Sequence, residues 1–225
     1  MDINLLILTI VAMIPFCIMY EIVYKYDHDS YYKISSSEAM SIAIMMFIIA
    51  IISYLSNKTL FGQILSSLFL GVLAYNAVCD SKTKEVYRFF NIINIIVGIV
   101  YFVYTFAINA NLLDAADKII FFGGIVFFDF IIILFASGVI KRFSVMGMGD
   151  TLALIATSLY LPCMTISNKK FFSLEILLYH YIFSIAFLFF FNIKYFLNKK
   201  LRAKEKIAFL PDIIGGILAI FCIFV

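Results

Sequence analysis

Charge is what this sequence has least of. Of its 225 residues, 14% are Asp, Glu, Lys or Arg, against about 25% in an ordinary soluble domain. Hydrophobic residues make up 64%, against about 45–50% in such a domain, and the mean hydropathy is +1.07. A water-soluble fold cannot hide that much apolar surface. The net charge of +3 is small, so nucleic acid is not expected as a partner.

Cysteine is sparse as well. Cys17, Cys79, Cys163 and Cys222 lie in or at the ends of apolar runs, and no two form a C-x-x-C pair. That excludes a disulfide framework or a cysteine zinc site and leaves four small packing residues. No metal or cofactor is expected. The Met-Asp start lacks the basic residues that precede a secretory signal, so the first apolar run reads as a retained helix. There is no low-complexity linker and no convincing repeat. The longest polar connections are Glu21–Glu38 and Leu197–Lys206, too short for a soluble domain.

What the chain does have is long apolar runs. A helix crossing a bilayer needs about 20 mostly apolar residues. Eight runs come near that length: Ile3–Tyr20, Ala39–Leu55, Leu60–Cys79, Phe89–Ala110, Ile119–Ile140, Thr151–Ile166, Leu174–Phe196 and Ile207–Val225. The sixth is interrupted by Pro162. The runs are continuous rather than alternating, which excludes barrel strands. The expected fold is an all-α integral membrane protein, a polytopic bundle of about eight transmembrane helices. Residues 1–59 would supply two N-terminal helices of unassigned role, and residues 60–225 a six-helix core.

Sidedness follows from the basic residues. Alternating the connections places 13 of the 17 Lys and Arg on one side and leaves Lys58, Lys118, Lys169 and Lys170 on the other. The basic side is expected to be cytoplasmic. The third apolar run then descends to the cytoplasmic boundary and ends at Asp80. The sixth starts at that boundary, directly after Gly147-Met148-Gly149-Asp150.

Two carboxyl groups at one depth suit a particular chemistry. A close pair resists double ionisation, so one keeps a proton. The ionised partner takes a proton from water and the neutral one donates to a carbonyl oxygen. Gly147 and Gly149, lacking Cβ atoms, allow a sharp bend and a close backbone approach. Taken singly, Asp150 also reads as an N-cap for the sixth helix, and Asp80 as an interfacial residue at a helix end.

At these residues the sequence resembles the type IV prepilin peptidase family, which includes the archaeal preflagellin peptidases. Asp80-Ser81-Lys82-Thr83-Lys84-Glu85-Val86 is similar to the family's first catalytic motif in its archaeal form. Gly147-Met148-Gly149-Asp150 matches the G-x-G-D of that peptidase clan, and Lys206-Ile207-Ala208-Phe209-Leu210-Pro211, then Gly215, is similar to its C-terminal run. Leu152 stands where members often carry Lys, and Ala208 where they carry Pro. The resemblance covers the chain from about Leu60 onward.

It implies an aspartic endopeptidase in a prokaryotic plasma membrane, with Asp80 and Asp150 catalytic and an active-site loop at Gly147 and Gly149. Lys82, Lys84 and Glu85 would contact the substrate; Lys82, Lys84 and Arg88 read more simply as topology determinants. The substrates would be membrane-inserted prepilin-like or preflagellin-like precursors of the type IV pilus or archaellum. Each would lose a short basic leader at the cytoplasmic face. The paired-cysteine domain of the methylating members is missing, so no N-methylation is expected.

Two further acids are weighed. Asp129 lies mid-span, about 16 Å from either end of its run. An ionisable group there suggests function by default and opens an alternative, a small ion-coupled transporter. A neutral Asp129 hydrogen-bonded inside the bundle, with His180 as a candidate partner, is the simpler reading. Asp212 enters the last run by about 8–9 Å, within approach of the pair. A catalytically inactive assembly factor is the third alternative. A presenilin-like peptidase would need a partner motif near the C-terminus that is not seen.

Overall fold

The computed structural model describes residues 2–26, 33–83, 87–109, 114–136, 148–164, 174–191, 193 and 208–224. Those residues form helices joined by short connections, with no strand among them. The helices are α1 (Ile3–Tyr26), α2 (Ser36–Ser56), α3 (Leu60–Thr83), α4 (Arg88–Asn109), α5 (Ala115–Ala136), α6 (Met148–Tyr160), α7 (Leu174–Phe191) and α8 (Leu210–Phe224). Each overlaps one of the eight apolar runs.

Five of them, α1, α2, α3, α4 and α7, are long and apolar enough to cross a bilayer. Their outward faces are greasy. Ile10, Ile14 and Ile18 on α1, Ile99 and Val103 on α4, and Ile182, Ile185 and Phe189 on α7 are all exposed. Apolar surface on that scale needs lipid against it. The chain is a helical membrane protein. The expected count of eight spans is larger than these five. α6 has 13 residues and tightens into a 3₁₀ turn at Leu161–Cys163, where Pro162 cannot supply an N–H. α8 has 15 residues.

α3 is the hub, with α1, α2, α4 and α8 packed around it. A bare surface at Gly71 lets α1 come close. A Cβ there would collide with the Ala12 carbonyl oxygen and touch Pro15 Cγ. One turn on, the Tyr75 hydroxyl donates to Met19 O at 3.2 Å, so α1 and α3 run in the same direction. The core is continuous from Ala12 on α1 to Ile220 on α8.

α2 starts earlier than its apolar run. Ser35 and Glu38 form a capping box: Glu38 N–H donates to Ser35 Oγ and Ser35 N–H to Glu38 Oε2. The box satisfies two donors that a helix start leaves without partners. At the C-terminal end of α6 a hydroxyl network joins three helices. Ser66 on α3 shares a 2.6 Å hydrogen bond with Tyr160 and donates to Ser53 of α2 at 3.0 Å. The Phe69 ring stacks on Tyr160 with centroids 4.3 Å apart.

Candidate functional site

The opposite end of the bundle carries the acids. Asp80 lies in the last full turn of α3, because the helix continues to Thr83. Asp150 lies in the first turn of α6, which begins at Met148. It is therefore already helical, where an N-cap was the simple alternative. Asp80 and Asp150 are 3% and 9% exposed, unusual burial for carboxyl groups.

Two asparagines connect the turns that carry these acids. Asn76 sits one helical turn before Asp80, on the same face of α3. Its side-chain N–H donates to Asn91 Oδ1 on α4 at 2.9 Å. Asn91 in turn donates through Nδ2 to the carbonyl oxygen of Gly149 at 2.9 Å, the residue before Asp150. An amide relay thus runs from the Asp80 turn, through α4, to the head of α6. All three groups are buried, where an unmade hydrogen bond is expensive. Gly149 contributes its backbone oxygen to this relay.

Asn94 stands three residues beyond Asn91 on the same buried stripe of α4. It is fully buried, and neither its Oδ1 nor its Nδ2 has a hydrogen-bond partner among the described residues. Asn76 Oδ1 is likewise without one. Native interiors hold few such groups. These asparagines are invisible to a search for acids and bases. Their sequence signal is polar residues at Asn91 and Asn94, three apart within the otherwise apolar stretch 89–100.

The C-terminal helix closes the site. α8 starts at Leu210, not Ile207, with Pro211 in its first turn, the place where a missing N–H costs least. The later start changes the depth of Asp212. It is the third residue of α8, about 3 Å from the helix start rather than 8–9 Å. The Leu210 N–H donates to Asp80 Oδ2 at 3.0 Å, so Asp80 caps α8 from a neighbouring helix. Asp212 is 5% exposed, lies two residues beyond the Leu210 N–H that meets Asp80, and its Oδ2 has no hydrogen-bond partner among the described residues.

The other candidates divide. Lys82, two residues past Asp80, forms an ion pair with Glu38 of the α2 capping box. Gly147, Lys84 and Glu85 lie outside the described residues. Asp129 accepts a hydrogen bond from Ser158 Oγ at 2.7 Å, so its partner is a serine of α6 rather than His180. His180 faces Ser184 and Gly216 instead. Among the described residues no group of three or more His, Cys, Asp or Glu is placed to hold a metal ion.

No family model matches this sequence, and neither a curated protein nor a solved structure is significantly similar to it.

Proposed function

We propose that the protein is a membrane aspartic endopeptidase in which Asp80 and Asp150 activate a water molecule. The reading is carried by the amide relay through Asn76 and Asn91. It links the turns of two buried acids that are 70 positions apart in sequence. A carboxyl group buried with polar neighbours at the end of a membrane bundle marks a site rather than a surface.

The chemistry follows from the pair. The ionised carboxylate takes a proton from water as its oxygen attacks the scissile carbonyl. The neutral carboxyl donates a hydrogen bond to that carbonyl oxygen. Collapse of the tetrahedral intermediate breaks the C–N bond, and the proton taken from water passes to the leaving amine. The unsatisfied Asn94 amide and the Asn76 Oδ1 offer partners for a peptide backbone unwound at the site.

In this reading the chain threads the plasma membrane of a prokaryote eight times, with the acids at the cytoplasmic face where most Lys and Arg lie. The substrates are membrane-inserted, prepilin-like or preflagellin-like precursors with short basic leaders. The leader meets the carboxylates at the boundary while the precursor's apolar helix stays in lipid. The resemblance of the two aspartate motifs supports this substrate class.

The test is co-expression with leader-bearing precursors, scored by a mobility shift. Wild type should cleave, and Asp80→Asn and Asp150→Asn should each abolish cleavage while remaining inserted. Cleavage by both variants removes the reading. An intact precursor beside the wild-type protein would favour an assembly factor without activity.

A further inference from the structure

Asp212 has no part in the two-carboxylate scheme, yet it stands beside it. Its carboxyl is buried in the first turn of α8, the turn that meets Asp80. Its Oδ2 is without a hydrogen-bond partner among the described residues. Asp80 already receives the Leu210 N–H from that same turn. α8 thus meets Asp80 with the Leu210 N–H, and the Asp212 carboxyl lies in the same turn, two residues on from that donor.

The helices packed on α8 are α7, α3 and α6. From α3 comes Asp80, from the head of α6 Asp150, and from α7 His180, which abuts Gly216 one turn beyond Asp212. Lys82, the cation two residues along from Asp80, is engaged by Glu38. Two carboxylates in reach of each other and out of water are poorly placed to carry two charges. One proton between them removes a charge and supplies a donor. That donor and the Leu210 N–H would grip the Asp80 carboxylate from two sides and fix its orientation.

We propose that Asp212 is a positioning residue for Asp80, sharing one proton with it from the first turn of α8 and so setting the charge and orientation of that carboxyl. The effect on cleavage rests on the peptidase reading. The sharing of the proton does not.

Two measurements on the full-length protein in detergent or vesicles test this. The first is the pH profile of precursor cleavage. Asp212→Asn should keep cleavage and lower kcat about tenfold, with KM changed less than about twofold. One limb of the profile should be displaced by about one pH unit, and Asp212→Glu should restore the wild-type shape. A uniform loss at every pH, equal in the Asn and Glu variants, would mean packing alone and overturn the proposal. The second needs no substrate. The infrared carbonyl band of protonated carboxyl groups is titrated in wild type, Asp80→Asn and Asp212→Asn. Each substitution should move the titration of the remaining acid by about one pH unit. Independent titrations overturn the proposal even if the protein cleaves precursors. Coupled titrations in a protein that cleaves nothing would uphold the shared proton and reject the peptidase.

Discussion

Asn91 on α4 donates its side-chain N–H to the carbonyl oxygen of Gly149 at 2.9 Å, and the same side chain accepts from Asn76 at 2.9 Å. One amide therefore holds α3, α4 and the head of α6 together. Replacing it by Ala strands a donor and an acceptor in the interior. Asn91→Ala should lower stability by about 1–2 kcal/mol, near the upper end for polar contacts inside membrane proteins. Cleavage should fall more than that loss explains, because the Asp150 turn is released from the Asp80 turn. Thermal unfolding in detergent, set beside the cleavage rate of the folded fraction, measures both. Unchanged cleavage with lowered stability would make the relay a structural tie only.

The bundle was largely legible in the sequence, and the site only in part. Continuous apolar runs report helices directly, since lipid leaves the backbone few other ways to satisfy its hydrogen bonds. The ends were less legible, because they depend on caps rather than on hydropathy. Ser35 and Glu38 start α2 ahead of its apolar run, and Pro211 marks the start of α8 three residues late. That second shift places Asp212 in the turn whose Leu210 N–H meets Asp80. The two motif aspartates could be read because acids are rare here. The asparagines between them carry no charge, and their role depends on how α3, α4 and α6 pack, which no local pattern encodes.

In the peptidase reading Asp80 has two duties, and two substitutions separate them. Its Oδ2 accepts the Leu210 N–H at 3.0 Å, in the manner of a helix cap supplied from another helix. Asp80→Asn keeps a side-chain oxygen as acceptor and should unfold close to wild type. Asp80→Ala removes the acceptor and should cost about 1 kcal/mol. Both should lose cleavage. Thermal unfolding of the two variants side by side decides the point, and equal stability would deny Asp80 the capping role.

Gly71 controls how closely α1 lies against α3. A methyl group there meets the Ala12 carbonyl oxygen, which is backbone and cannot swing aside, as well as Pro15 Cγ. Gly71→Ala should therefore push α1 away and destabilise by about 1–3 kcal/mol, the usual penalty for overpacking. The Tyr75 to Met19 hydrogen bond should be lost with it. Cysteine pairs placed across α1 and α3 should cross-link more slowly in the variant. Unchanged cross-linking and stability would show that α1 is held from elsewhere.

Asp129 decides between a peptidase and a carrier. It is partly buried and accepts from Ser158 Oγ at 2.7 Å, an α5 to α6 contact that an amide oxygen can also make. If the acid serves packing, Asp129→Asn keeps that hydrogen bond and replaces a carboxyl by a neutral group of the same shape. Stability should change by less than about 1 kcal/mol, and precursor cleavage should stay within about twofold of wild type. An ion-coupled carrier would need the carboxyl itself, and Asp129→Asn would then abolish flux in proteoliposomes. Flux in wild type that disappears in Asp129→Asn, together with cleavage by neither, would move the functional centre from Asp80 and Asp150 to the middle of α5.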